Sequence, residues 1–298
     1  MSEASAPRVR TALTFCVITL IWGSTWIVIK DQIAEVPAAW SVTWRFVVAS
    51  FGMVALALIL RKSLRLPREI AIMAGMTGLL QFSFNFQFVY YSEHHLTSGL
   101  VAVIYALLMV PNALFSRLFL GTRISERFIA GSLVAIAGIV LLLINEIRSA
   151  PPVGSVPLGL ALAFGGLMCA SLSNVIQASG RIRSVDIVPF MAWAMIIASL
   201  ANVAFALVTS GPPAIDPQPQ YLAGIVYLGL IGSVVTFPLY AGLIRDMGAG
   251  PAAYNGVVVP VVAMGLSTVF EGFVWSGLAV AGSLLGLGGL LVALGGRK

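Results

Sequence analysis

Apolar residues fall into ten long blocks, near residues 12–29, 39–60, 70–90, 97–119, 128–145, 156–178, 187–208, 221–242, 250–270 and 275–295. The connections between them hold most of the charged residues. An α-helix of about 18–23 residues crosses roughly 30 Å of hydrocarbon. A membrane β-barrel would instead show alternating segments of about ten residues. The pattern therefore predicts an all-α integral membrane protein of ten transmembrane helices. Arg8 and Arg10 precede the first block as they would in a secretory leader. That block is long enough to span and lacks a small-residue cleavage pattern, so it is expected to remain as the first helix.

An even number of crossings puts both termini on one side. With that side cytoplasmic, 14 of the 17 basic residues lie there, while Lys30 and Arg148 lie opposite and Arg45 falls within the second block. This split satisfies the positive-inside rule and predicts cytoplasmic termini.

The chain also repeats itself. A single offset of 149 residues relates Trp44 to Trp193, Tyr91 to Tyr240, Gly99 to Gly248, Tyr105 to Tyr254 and Pro111 to Pro260. Each half holds five crossings, an odd number, so the second half must enter the membrane from the opposite side. Two inverted five-helix repeats, 1–146 and 158–298, are expected around a central cavity, joined by a linker at 147–157 that contains Pro151, Pro152 and Gly154. Inverted repeats suit alternating access, because two similar halves of opposite sense can exchange conformations about one site.

Composition agrees with a lipid-facing exterior. Of the 298 residues 59% are apolar and 9% charged, with a mean hydropathy of +1.00. Soluble domains carry about 25% charged residues. The net charge of +6 does not imply nucleic-acid binding, since the basic residues are scattered and form no face interleaved with aromatics. Cys16 and Cys169 lie within apolar blocks, so no disulfide framework is expected. No HExxH, GxSxG or nucleotide-binding GxxxxGK motif occurs, which argues against an enzyme and against ATP drive within the chain. No cofactor or metal site is expected.

The residues of the repeat resemble the drug/metabolite transporter superfamily, in its EamA-type branch of ten-helix carriers. Trp22-Gly23-Ser24 with the following Lys30, Pro37 before Trp44-Arg45-Phe46, the mid-helix prolines Pro111 and Pro260, and Glu271 are similar to that branch's motifs. Thr122 stands where the first half would match Glu271. Within the superfamily the chain looks most like the aromatic amino acid exporters of bacterial inner membranes. The resemblance implies export, a small-molecule substrate and a multi-pass bacterial inner-membrane location; separately, the chain is expected to function as a monomer.

Polar side chains within membrane helices are costly in lipid and are expected to face inward. Trp22 and Trp26 share a face of the first block, and Gln81 and Asn85 a face of the third. Tyr105 and Asn112 lie on one stripe of the fourth, Asn174 and Gln177 on the sixth, Trp193 on the seventh, and Tyr254 and Asn255 at the ninth. These are the expected substrate-lining residues; interhelical hydrogen bonding is the alternative role for each. Arg45 either snorkels to the interface or meets a substrate carboxylate. Glu93, His94 and His95 form either a solvated loop or a gate. Adjacent helical histidines diverge, which disfavours a metal site there. Pro111 and Pro260 are expected hinges. Small residues Gly131, Ala135 and Gly138, and Gly282, Gly286 and Gly289, predict close helix packing within the fold or between protomers.

The carboxylates fall at block ends, in connections or at the N-terminus, and few cations lie near the blocks' centres. An uncharged cavity walled by Trp, Tyr and amides suits small neutral zwitterions, aromatic and other amino acids, over a broad range. Export of cationic drugs is the rival, and it calls for a carboxylate deep in a helix. The lack of such a residue also predicts weak coupling or facilitated flux, with proton counterflow through His94 or Glu271 as the alternative.

Overall fold

The computed structural model describes residues 5–149, 154–247 and 255–294, which form helices and short connections with no strand among them. Helix α1 (Ser5–Glu35) turns at Pro37 into α2 (Ala38–Ile59). The third crossing is composite: α3 (Arg68–Thr77), a π-helical stretch Gly78–Phe84, then α4 (Asn85–Ser92). The fourth is α5 (Ser98–Ala106) followed by α6 (Met109–Leu120), and the fifth is α7 (Glu126–Ser149). The second half begins with α8 (Val156–Ala178), the one-turn α9 (Gly180–Arg183) and α10 (Ile187–Ser210). Its next crossing is α11 (Pro219–Val226), a π-helical stretch Tyr227–Val235 and α12 (Thr236–Met247). Helices α13 (Asn255–Phe270) and α14 (Gly277–Leu294) complete the chain. Six helices, at Thr11–Glu35, Ala38–Ile59, Ser98–Leu120, Val156–Ala178, Ile187–Ser210 and Pro219–Leu243, are long and apolar enough to cross a membrane. Shorter apolar runs occupy Val258–Phe270 and Gly277–Ala293.

The two π-helical stretches begin at Gly78 and Tyr227, which differ by the same 149 residues as the sequence matches. Packing follows the same exchange. Helix α2 packs on its mate α10, α5 on α13, and α7 on α14. The contact of α1 with α12 is mirrored by that of α8 with α4. This is the pattern of two halves related by a two-fold axis. With five crossings each, the halves run in opposite senses.

Repeat mates even reproduce one another's hydrogen bonds. The Trp44 indole donates to the Ala214 carbonyl at 2.8 Å, and the Trp193 indole to the Leu64 carbonyl at 2.8 Å. Each tryptophan ties its helix to a connection contributed by the other half, at opposite ends of the bundle.

The fourth crossing breaks because Pro111 has no N–H for the Leu107 carbonyl, and its ring would clash there in a regular helix. The chain tightens instead. Leu107, Leu108 and Val110 donate to carbonyls three residues back, at 3.0, 3.0 and 2.8 Å. Pro260 lies inside α13, which runs on through it.

Helices α7 and α14 pack backbone to backbone through the predicted small residues, and the contact is within the fold. A Cβ at Gly138 would fall 2.3 Å from the Gly286 nitrogen. Without a hydrophobic driving force between helices in lipid, such close approach supplies the attraction through dispersion.

Candidate functional site

Two walls face each other, one built from α4, α5, α6 and α8, the other from α1, α12 and α13. On the first wall the Tyr105 hydroxyl donates to Asn85 Oδ1 at 2.6 Å, and Asn85 Nδ2 donates back to the Gln81 carbonyl at 3.1 Å. Gly166 on α8 leaves room for that hydroxyl: a Cβ there would lie 2.3 Å from it. Further toward the chain termini, Asn174 Nδ2 donates to Asn112 Oδ1 at 3.4 Å, and Gln177 Nε2 to Ser173 Oγ at 3.2 Å. On the second wall the Trp22 indole donates to Thr236 Oγ1 at 3.0 Å and packs against Phe237 and Tyr240. Asn255 Nδ2 donates to Thr19 Oγ1 at 2.7 Å. The walls meet where the Trp26 and Tyr105 rings lie 5.3 Å apart. Trp22, Trp26, Tyr105, Asn112, Asn174 and Gln177 all stay half-buried rather than fully enclosed.

The structure thus brings the first, third, fourth and sixth blocks' predicted residues onto these two walls. Trp193 lies apart, 39% exposed and committed to the Leu64 carbonyl. Tyr254 lies outside the described residues. Two apolar cavities flank the walls. One of about 440 Å³ is bordered by Ser83, Gln87, Phe88 and Leu162, and one of about 280 Å³ by Val103, Ile139, Pro260 and Trp275.

Arg45 does not snorkel. It is 2% exposed, and its guanidinium lies 4.2 Å over the Phe86 ring. Its hydrogen bonds go to Ser233 Oγ at 3.4 Å and Tyr90 Oη at 3.5 Å, the long limit for such bonds. A guanidinium carries five donors. Hydroxyls at this distance and an aromatic face leave it able to take a stronger acceptor.

The end of the bundle that holds the 93–97 and 271–276 connections is closed. Lys30 Nζ donates to the carbonyls of Glu93 and Leu96, the latter at 3.3 Å. Glu271, just past α13, accepts from Ser98 N at 3.3 Å and from Ser98 Oγ. A carboxylate at the start of α5 is favoured by the helix dipole there. The Ser155 amide donates to His95 Nδ1 at 3.2 Å. Glu93 is wholly buried rather than part of a solvated loop, and Lys30 of α1 is bonded to its carbonyl. Burial, helped by Lys30 and His95, holds the His94 imidazole below its usual range.

Sequence reasoning missed Lys30, Ser233, Thr236 and Asn202 as partners. Asn202 bridges α10 to the third crossing: its Oδ1 accepts from Ser83 Oγ at 2.8 Å and Gln87 Nε2 at 3.1 Å, and its Nδ2 donates to the Phe82 carbonyl at 3.0 Å. A lone amide within the seventh block was the signal for it. Ser233 is explained by its π-helical setting, where its hydroxyl also donates to the Leu228 carbonyl five residues back, at 2.9 Å.

The sequence pattern of the EamA-like transporter family matches this chain twice, at residues 9–144 and 157–295. The chain belongs to the EamA-like transporter family. An inner membrane transporter of Escherichia coli (strain K12), YedA, described as uncharacterized, is 27% identical over 85% of this chain and 80% of its own length. A probable amino-acid metabolite efflux pump of Salmonella typhimurium (strain LT2) is 22% identical over 94% of this chain and 93% of its own. A solved crystal structure superposes with a TM-score of 0.67 at 21% identity, covering 96% of both chains, and so shares the fold. This EamA-family chain is therefore a membrane transporter with repeats, and its two family matches begin 148 residues apart, close to the 149-residue offset of its helices.

Proposed function

We propose that this transporter exports small neutral zwitterions, aromatic and other amino acids over a broad range, across a bacterial inner membrane by alternating access. In this reading both termini are cytoplasmic, the repeats divide at 147–157, and the chain works as a monomer. The observation that carries it is the pair of half-buried walls whose exposed groups are aromatic rings and amides, with no charged side chain among those named. Such walls stack an apolar or aromatic side chain and hydrogen-bond neutral polar groups. Arg45 is the anchor for the substrate carboxylate, since bidentate pairing would replace its long contacts to hydroxyls. Trp22, Trp26, Gln81, Asn85, Tyr105, Asn112, Asn174, Gln177, Tyr254 and Asn255 line the path, with Trp193 at its margin. Pro111 and Pro260 are the hinges, and Glu93, His94 and His95 belong to the gate. The relative named as a probable amino-acid metabolite efflux pump supports the substrate class. Cationic drugs fit less well, because the buried carboxyl Glu93 has Lys30 and Arg45 as neighbours.

Counterflow in proteoliposomes with a panel of labelled amino acids tests the reading. Phenylalanine and methionine are expected to exchange, with losses in the alanine variants of Trp22, Tyr105, Asn174 and Tyr254. Exchange of phosphosugars but not of amino acids, or unchanged counterflow in all four variants, overturns it.

A further inference from the structure

Phe86, Tyr90 and Glu93 follow an i, i+4, i+7 stripe along and just beyond α4, beneath Arg45 of α2 and Lys30 of α1. Glu93 is 0% exposed, and neither of its carboxyl oxygens has a hydrogen-bond partner. An ionised carboxylate in that condition is expensive, whereas a neutral carboxyl is tolerated. The nearby cation does not resolve the problem: Lys30 Nζ is hydrogen-bonded to the carbonyls of Glu93 and Leu96. Glu271, the other carboxylate facing this point, is engaged with Ser98. Burial drives the Glu93 carboxyl well above its ordinary range; Lys30 pulls against this, Glu271 adds to it, and Arg45 opposes it. Tyr90, one turn back on α4, is a further titratable neighbour of Glu93, and the adjacent His94 is held toward its neutral form. Lys30 and Glu271, the charged neighbours of Glu93, are also the groups that tie together the elements at this end of the bundle.

We propose that Glu93 binds a proton when this end of the bundle seals and releases it when the end opens, so that the transport cycle exchanges protons with the medium on that side. In the sealed form the carboxyl is neutral. When Lys30 leaves the Glu93 and Leu96 carbonyls and Glu271 leaves Ser98, water reaches the carboxyl, one proton passes to it, and the carboxylate remains. Closing takes one proton back. The sign follows: a group that holds its proton in the sealed form favours sealing at low pH and opening as pH rises. This departs from the facilitated flux expected from the sequence, where Glu93 counted as a residue of a connection. The proposal rests on the transport reading only in taking the closed end as one state of an access cycle.

The test uses the full chain with Cys16 and Cys169 replaced by serine, in vesicles of phosphatidylethanolamine and phosphatidylglycerol. Leu96→Cys, buried at the seal, is labelled with a membrane-impermeant maleimide across the pH range. Its rate is divided by that of Pro212→Cys, exposed at the same end of the bundle, which cancels thiol ionisation and vesicle orientation. The ratio is expected to rise with pH, by up to about tenfold per unit across the titration of one group. Glu93→Gln, fixed in the neutral form, is expected to hold the ratio low and flat, and Glu93→Asp to keep the dependence with a moved midpoint. A flat ratio in the parent protein, or an unchanged dependence in Glu93→Gln, overturns the proposal. Should the Gln variant fail to assemble, an unmoved midpoint in Glu93→Asp overturns it equally. Phenylalanine counterflow in the same vesicles is a separate readout: its absence counts against the amino acid reading and leaves the labelling result standing.

Discussion

Gly166→Ala is expected to act almost entirely through one atom, the Tyr105 hydroxyl oxygen. The added methyl would fall 2.3 Å from that oxygen, and 3.1 Å from both the Asn85 carbonyl and the Phe88 Cβ. The latter two are tight but tolerable; the first is not, so the phenol must swing and give up its 2.6 Å bond to Asn85. Overpacking a well-fitted site costs about 1–3 kcal/mol, and a hydrogen bond within a membrane bundle contributes about 0.6–1.7 kcal/mol. Gly166→Ala alone should then destabilise by about 2–4 kcal/mol. Tyr105→Phe alone loses the bond and keeps the ring against Trp26, for about 1 kcal/mol. In the double variant the oxygen is gone, the methyl has space, and the total should fall short of the sum by about 1–2 kcal/mol. Equilibrium unfolding of the four proteins in mixed detergent and SDS micelles measures this cycle. Additivity to within about 0.5 kcal/mol would show that the Tyr105 hydroxyl is not what Gly166 accommodates.

Three further outcomes follow from contacts already described. Gly138→Val should prevent α7 and α14 from docking and abolish the monodisperse peak on size-exclusion chromatography; Gly265→Ala, with nothing within 4 Å of the new methyl, should leave it intact and raise stability by about 0.5–1 kcal/mol. Lys62→Ala removes a 2.8 Å ion pair with Asp186 at an exposed site, and the unfolding free energy should change by no more than about 1 kcal/mol. The lowered pKa of His94 means that the unfolded chain takes up a proton before the folded one as pH falls below about 6.5. Stability from this group is thus complete above that pH and declines below it. His94→Gln should lose less stability than the parent between about pH 7 and 5 in the same unfolding assay; an equal loss would remove His94 as the cause.

The ten crossings were legible because lipid imposes a length and a polarity on every span. The repeat was legible because residues such as Trp44 and Trp193 keep one register over 149 positions. What the blocks concealed was the backbone within them. Hydropathy does not distinguish a π-helical stretch from an α-helical one, so the wide turns at Gly78 and Tyr227 left no trace in the apolar pattern. The break in the fourth crossing had a visible cause in Pro111, whereas Pro260, its mate, sits in a helix that continues. The site was partly legible: stripes on single helices picked out Tyr105, Asn85 and Asn112 of the first wall, but not Thr236 of the second or Ser233 beside Arg45, whose partners come from the other half. Trp193 matched Trp44 for a reason of architecture, a mirrored tie to a connection. The burial of Glu93 was not legible, although a gate there was one of the two readings. Lys30, 63 residues earlier in the chain, is bonded to its carbonyl, and a one-dimensional reading carries no sign of that contact.

The fourth crossing is two short rods rather than one. Its α5 rod is held by α13 and its α6 rod by α8, and the joint between them is a tight turn held by the bonds of Leu107, Leu108 and Val110 to carbonyls three residues back. Changing the angle between the rods costs those few bonds and leaves the α-helical bonds within each rod in place. A movement that frees one end of this span need not drag the other, and the two mouths of the carrier are mechanically separable along a single stretch of chain.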